Sequence, residues 1–293
     1  MNNVTLNSDL VDVRWLKEHL LADNLIVLDA SIVPIGSKVV TGERRYVPQS
    51  QIFDFEHKIR DIESDLPHML PSAALFAAEV CKIGVSKDSV IVIYDDKGIY
   101  SSPRAWWMFK AMGHQRVAVL DGGLPAWISA GQPTANSTVT KSLVGNFTAT
   151  LNDNLVVDAD AVQLALQNKA YAVIDARSAG RFQGSEAEPR KGLRGGHMPG
   201  AFNIPYPEVL TKGFYKNANE LKILFHDPIK SRQELIFTCG SGVTASILFL
   251  AATLAGYEKN ALYDGSWCEW GIPSSRTVIT GTNAQGGAHA KKD

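Results

Sequence analysis

Glu234 to Tyr257 reads ELIFTCGSGVTASILFLAATLAGY. Leu235-Ile236-Phe237-Thr238 is a short apolar run of strand formers, the pattern of a buried parallel strand. Val243 to Ala255 is apolar, rich in Ala and Leu, and stopped by Gly256, which predicts a buried helix with a glycine just past its end. Between them Cys239-Gly240-Ser241-Gly242 has to turn the chain. A strand–turn–helix unit of this kind belongs to an open α/β sheet and puts the cysteine at the carboxyl end of a strand, where such sheets bind ligands. The glycines let successive N–H groups aim at one point, and the helix N-terminus adds partial positive charge there. Such a setting favours a sulfur anion, and hence a nucleophile. The competing reading is a buried structural cysteine, which needs neither the glycines nor the helix.

Outward from this unit the alternation of strands and helices continues. Leu25 to Asp29, Val90 to Tyr94, Val117 to Leu120, Ala172 to Asp175 and Ala261 to Tyr263 are predicted strands, with a short one at Gln51 to Phe55. Val90-Ile91-Val92-Ile93-Tyr94 is apolar at every position, as in a strand covered on both faces. Helices are predicted after Ser8 or Asp9 (Val13, Leu16, Leu20 and Leu21 inward), from Pro71-Ser72 to Lys82, from Ser102-Pro103 through Met112, and from Asp158 to Gln167. Shorter ones are expected around Trp127, over Leu221 to Phe225 and around Trp270. Ser178 to Gly196 is a long polar loop, and the chain from Ser274 on is expected to fray.

The two halves repeat. Leu28-Asp29-Ala30 matches Ile174-Asp175-Ala176, Ile91 to Asp95 matches Leu235 to Cys239, and Asp121-Gly122-Gly123 before Trp127 matches Asp264-Gly265-Ser266 before Trp270, all about 145 residues apart. The copies differ in chemistry, because Asp95 stands where the second half has Cys239. The expected organisation is a domain without a catalytic cysteine over 1–135, a linker over 136–152, a catalytic domain over 153–277 and a tail over 278–293.

Composition narrows the function. Of 293 residues, 45% are hydrophobic and 20% charged, with a net charge of −1, so neither nucleic acid nor an anionic membrane is an expected partner. No apolar run is long enough to span a bilayer, and no basic segment precedes an apolar one at the start, so no signal peptide is expected. Three cysteines without a C-x-x-C pair suit a reducing cytoplasm and argue against a disulfide framework or a bound metal. Cys81 and Cys268 are expected to be structural. A phosphatase loop of Cys-x5-Arg type would need arginine at Ala245.

Taken together, these residues resemble the tandem-domain rhodaneses, closest to the 3-mercaptopyruvate sulfurtransferase branch. The resemblance rests on CGSGVTA (Cys239 to Ala245), DARSAGRFQGSEAEPR (Asp175 to Arg190), GHMPGAFNIP (Gly196 to Pro205), LDGGLPAW (Leu120 to Trp127) and YDGSWCEWG (Tyr263 to Gly271). It spans nearly the whole chain. It implies an α/β fold of two tandem rhodanese domains, each a five-stranded, mostly parallel sheet with helices on both faces. It implies sulfur transfer from 3-mercaptopyruvate through a Cys239 persulfide to a thiol such as thioredoxin, or to cyanide, with release of pyruvate and no cofactor. Backbone N–H groups of Gly240, Gly242, Val243 and Thr244 would hold the sulfur anion. Ser241 would handle the substrate's thiol proton or serve as a plain loop hydroxyl.

A 2-oxo acid needs a cation for its carboxylate, and the family match assigns that to Arg181 and Arg190. Arg177 beside Asp175 is either a further contact or a structural ion pair, and Arg104 and His197 are expected to be structural. Thiosulfate sulfurtransferase and a non-catalytic regulatory module are the alternatives. Rhodaneses of the thiosulfate branch carry basic residues directly after the cysteine, where this chain has Gly240-Ser241. The chain also departs from the family at Tyr46-Val47-Pro48-Gln49-Ser50, where a His-Ile-Pro-Gly-Ala turn is usual, so no histidine is available there for a proton relay.

Overall fold

The computed structural model describes residues 2–37, 43–139, 144–230 and 234–282. It divides into two compact units. The first runs to Asp153 and takes in Thr211–Tyr215, and the second holds Asn154–Leu210 and the chain from Lys216 on. The linker expected over 136–152 has its residues 140–143 outside the described ones, as are 283–293 of the expected tail.

The first unit contains β1 (Leu10–Val11), α1 (Val13–His19), β2 (Leu25–Asp29), β3 (Ser50–Ile52), α2 (Ala73–Lys82), β4 (Val90–Tyr94), α3 (Ser102–Ala111), β5 (Val117–Leu120) and α4 (Gly123–Ser129). Its sheet has the order β1-β5-β4-β2-β3, and every neighbouring pair is parallel. β2 and β4 are buried at all positions, which is why their sequences are apolar without alternation.

The second unit contains β6 (Val156–Val157), α5 (Ala159–Ala165), β7 (Tyr171–Asp175), α6 (Ala179–Gln183) and β8 (Phe202–Asn203). After the short strands β9 (Leu210–Thr211) and β10 (Phe214–Tyr215) come α7 (Ala218–Ile229), β11 (Glu234–Thr238), α8 (Val243–Leu254), β12 (Asn260–Tyr263) and α9 (Ser266–Trp270). The order β6-β12-β11-β7-β8 is again all parallel and repeats the first sheet strand for strand. β4 and β11 are therefore equivalent central strands, and Asp95 and Cys239 follow them at matching places. No helix among the described residues is long and apolar enough to cross a membrane.

Four local expectations change. α1 is capped by Asp12, whose side chain accepts the Trp15 N–H at 2.7 Å, rather than by Ser8 or Asp9. Leu10 and Val11 are drawn into the sheet beside Val119 and Leu120, so the helix can begin only after them. Within the polar Ser178–Gly196 stretch, Ser178 caps the short helix α6, which ends at Gly184 with φ +78°. α7 starts earlier than its apolar core because Asn217 and Glu220 form a reciprocal capping box. The segment after Ser274 is tied down as far as Gly281, since Ile279 and His197 exchange backbone hydrogen bonds at 2.8 and 3.0 Å and Gly281 N–H reaches Gln183 O at 2.8 Å.

Candidate active site

β11 delivers Cys239 to the carboxyl edge of the second sheet, and the turn Gly240–Gly242 passes the chain into α8. Gly242 has φ +76°, a left-handed conformation that glycine adopts without steric cost, and it precedes the first helical residue with no side-chain cap. Cys239, Ser241 and Val243 are 2%, 7% and 4% exposed, and Thr244 is half-buried. The turn is pinned from beneath by α9. Trp267 N–H donates to Cys239 O at 3.0 Å and Cys268 N–H to Gly240 O at 2.9 Å. The Cys239 N–H reaches Ser266 Oγ at 3.3 Å, and that hydroxyl donates to Tyr263 O at 2.8 Å.

Above this turn the structure brings Arg181 and Arg190 together. A β-carbon placed on Gly240 would stand 3.1 Å from Arg181 Nη2 and 3.8 Å from Arg190 Nη1. Both guanidinium groups therefore lie against the backbone of the residue that follows Cys239. The two arginines are held differently. Arg181 is paired with Glu188 through Nη2–Oε2 at 2.6 Å and Nε–Oε1 at 3.2 Å, and the Glu188 side chain is 2% exposed. Arg190 is half-buried, with no ion-pair or hydrogen-bond partner among the described residues.

Arg177 belongs to the support of the site. It is fully buried, bonded through Nε and Nη2 to the Asp175 carboxylate, through Nη1 to Glu188 Oε1 at 2.7 Å and through Nη2 to Gly196 O at 2.8 Å. Its guanidinium carbon lies 3.9 Å from the Trp267 ring centroid. All three guanidinium nitrogens of Arg177 are bonded within the fold, the structural ion pair being the arrangement found. His197 is likewise structural, stacked on Phe182 at 3.8 Å with Nδ1 donating to Phe182 O at 2.8 Å.

Two residues join the site that the sequence does not place there. Glu188 is one; its signal was an acid set between two arginines in the segment GRFQGSEAEPR. Cys268 is the other. Burial pushes its thiol up to about 11, with Arg190 and Arg181 opposing and Cys239 and Glu188 reinforcing the shift. Its sulfur is thus a neutral thiol within electrostatic reach of all four groups.

In the first unit the matching strand end carries a carboxylate. Asp95, fully buried, accepts the N–H groups of Lys97, Tyr100, Ser101 and Ser102 at 2.9, 2.9, 3.0 and 2.9 Å, and the Ser102 hydroxyl at 2.6 Å. A strand end feeding a helix N-terminus in this fold therefore does gather donors around one anion. Tyr46, in place of the usual histidine, pairs its backbone with Ala135, and the Arg44 guanidinium lies 5.3 Å from its ring centroid.

The family model for the rhodanese-like domain matches residues 5–130 and again 158–272. The chain belongs to the rhodanese family. Among its relatives, the 3-mercaptopyruvate sulfurtransferase of Mus musculus is 40% identical over 272 residues, covering 89% of this chain and 91% of the relative. The thiosulfate sulfurtransferase of Mus musculus is 41% identical over the same shares. The solved structure of SseA from Escherichia coli, described as a 3-mercaptopyruvate sulfotransferase with the rhodanese fold, is 34% identical with a TM-score of 0.79, covering 89% of this chain and 99% of that one. Overall identity does not separate the two donors for this rhodanese, so the choice falls to the site.

Proposed function

We propose that this rhodanese is a sulfurtransferase that draws sulfur from 3-mercaptopyruvate, with Cys239 as its nucleophile and the second unit as its catalytic domain. The observation that carries the donor assignment is the convergence of Arg181 and Arg190 on Gly240 beside a turn whose own residues, Gly240 and Ser241, bear no charge. Two guanidinium groups next to the nucleophile suit a keto oxygen about three bonds, and carboxylate oxygens about four bonds, from the sulfur under attack.

In the first half-reaction the Cys239 thiolate attacks the donor sulfur. The S–S bond forms as the C–S bond breaks, and the bonding pair passes into the enolate of pyruvate, held by the arginines. The donor's thiol proton, relayed at Ser241, ends on the enolate carbon and gives pyruvate. The outer sulfur of the persulfide is held by the N–H groups of Gly240, Gly242, Val243 and Thr244. In the second half-reaction a thiolate such as that of thioredoxin, or cyanide, takes the outer sulfur and returns the Cys239 thiolate. No cofactor enters the scheme. Cys81, Cys239 and Cys268 are all free thiols, which supports work in the cytoplasm.

The test is pyruvate release from 3-mercaptopyruvate, with mass spectrometry of the loaded protein. One added sulfur is expected on the Cys239 peptide, and Cys239→Ser should abolish both release and loading while the protein stays folded. Sulfur on Cys81 or Cys268 would refute the nucleophile. A preference for thiosulfate in kcat/KM would transfer the enzyme to the other donor.

A further inference from the structure

We propose that Glu188 sets the charge of the donor site, leaving a single net cation, and so selects monoanionic carboxylate donors against dianions such as thiosulfate. The inference rests on the sulfurtransferase reading of the same site, and it gives a role to a residue bonded to Arg177 and Arg181.

The cluster beside Cys239 holds three guanidinium groups, Arg177, Arg181 and Arg190, and two carboxylates, Asp175 and Glu188. Arg177 is neutralised by Asp175 through bonds at 2.6 to 3.1 Å. Arg181 is neutralised by Glu188, whose Oε2 takes Nη2 at 2.6 Å while Oε1 takes Nε at 3.2 Å and Arg177 Nη1 at 2.7 Å. Only Arg190 is left with its charge unmatched among the described residues. Apart from the Cys239 sulfur itself, which is the same for every donor, the cluster therefore offers one positive charge. A carboxylate donor brings one negative charge, whereas thiosulfate brings two.

Glu188 also acts as a positioning residue. With its side chain 2% exposed and both oxygens engaged, it fixes the Arg181 guanidinium against Gly240 while the arginine remains 20% exposed. Arg181 is thereby a directional donor with little net field, and Arg190 supplies the field.

The selectivity follows from electrostatics. If removing the Glu188 charge favours a monoanion by some factor, it favours a dianion by the square of that factor. The preference between them shifts by the factor itself. For a half-buried site a shift of about tenfold is expected, equal to about 1.4 kcal/mol, and it should shrink as salt is raised.

The experiment measures Kd for pyruvate (monoanion) and sulfate (dianion) by calorimetry on the full chain, in wild type, Glu188→Gln and Glu188→Asp. Glu188→Gln should gain on sulfate about tenfold more than on pyruvate, and Glu188→Asp, which keeps the charge, should keep the wild-type ratio. A purely structural Glu188 would weaken both anions alike, and a ratio within twofold of wild type in a folded Glu188→Gln overturns the proposal. If that variant melts below the assay temperature, Arg181→Gln and the double variant Arg181→Gln, Glu188→Gln carry the same comparison. The single variant should disfavour sulfate about tenfold relative to pyruvate, and the double, with the net charge restored, should return to the wild-type ratio. An unchanged ratio in the single, or a double that fails to return, overturns the proposal. Turnover separates this inference from the donor assignment. A shifted anion preference without pyruvate release from 3-mercaptopyruvate in wild type sinks the donor and leaves Glu188 its role. Pyruvate release with an unmoved preference does the reverse.

Discussion

Ser102 gives both its backbone N–H and its hydroxyl to one oxygen of Asp95, at 2.9 and 2.6 Å, and three further N–H groups complete the enclosure of that carboxylate. In the second unit the equivalent strand end carries Cys239. The shared architecture is a central strand that ends at a helix N-terminus; in the first copy its donors are satisfied by a fixed carboxylate, and in the second we propose that a sulfur anion takes that place. The first copy cannot form a persulfide there, and its own carboxylate occupies the place where a ligand anion would be held.

Asp95→Ala should therefore destabilise the first unit severely. The change strands buried N–H groups at the start of α3, each costing about 1–3 kcal/mol when unsatisfied. A loss of at least about 3 kcal/mol is expected in urea unfolding monitored by hydrogen exchange of Val90–Tyr94. A loss below about 1 kcal/mol would mean that water or the loop itself satisfies those groups.

Gly240→Ala tests the convergence of the arginines. The backbone of Gly240 lies outside the left-handed region, so alanine brings no backbone strain. Its methyl would sit 3.1 Å from Arg181 Nη2, closer than ordinary van der Waals contact, and Arg181 is tied to Glu188 on its other side. The guanidinium has to yield by a few tenths of an ångström. We expect kcat/KM for 3-mercaptopyruvate to fall about three- to tenfold with little change in melting temperature. Unchanged kinetics would place the donor's carboxylate away from Arg181.

How far the site could be read from sequence depended on how local its determinants are. The Cys239 turn was legible because an apolar strand, two glycines and an apolar helix follow one another within Glu234–Tyr257. Val90–Tyr94 was legible because burial on both faces removes alternation. β1 was not, since two residues of an edge strand leave no period to detect. Glu188 was not, since its meaning lies in contacts across an irregular loop to Arg177 and Arg181. The support that Cys268 gives the turn was not, since its N–H reaches Gly240 O from a separate element.

Gln49 offers a gain in stability. Val47 to Ser50 forms a turn closed by Ser50 N–H to Val47 O at 3.2 Å, with Pro48 in its second place and Gln49 at φ +65° in its third. The second unit makes the same turn over Met198 to Ala201, with Gly200 at φ +86°. A left-handed third position favours glycine. Gln49 is exposed, so its side chain gives up little packing in exchange. Gln49→Gly should stabilise the first unit by about 0.5–1 kcal/mol, the relief of a left-handed side chain less the entropy glycine adds to the unfolded chain. A destabilised variant would show that the Gln49 side chain contributes more than its exposure suggests.

His114 supplies a pH dependence whose sign can be worked out. The ring is 3% exposed, packs edge-on against Phe109 and Phe147, and has Nε2 3.0 Å from Ser89 O, to which the neutral ring donates. Burial lowers its pKa to about 4, with the nearby Arg116 and Lys110 acting in the same direction and the Ser89 carbonyl opposing. In the unfolded chain a histidine titrates near 6.5. The folded form therefore keeps the neutral ring while the unfolded form takes up a proton as pH falls below about 6.5. This contribution is complete above that pH and is lost as pH falls toward about 4, to the extent of about 3 kcal/mol. His114→Gln keeps a side-chain donor for Ser89 O and cannot titrate. At pH 7 the variant should be less stable than wild type through lost ring packing, and by pH 4 that gap should narrow by about 2–3 kcal/mol or reverse. Unfolding free energies of the first unit at the two pH values, read from the exchange of Val90–Tyr94, decide it. Parallel losses in wild type and variant would show that the acid sensitivity of this unit arises elsewhere.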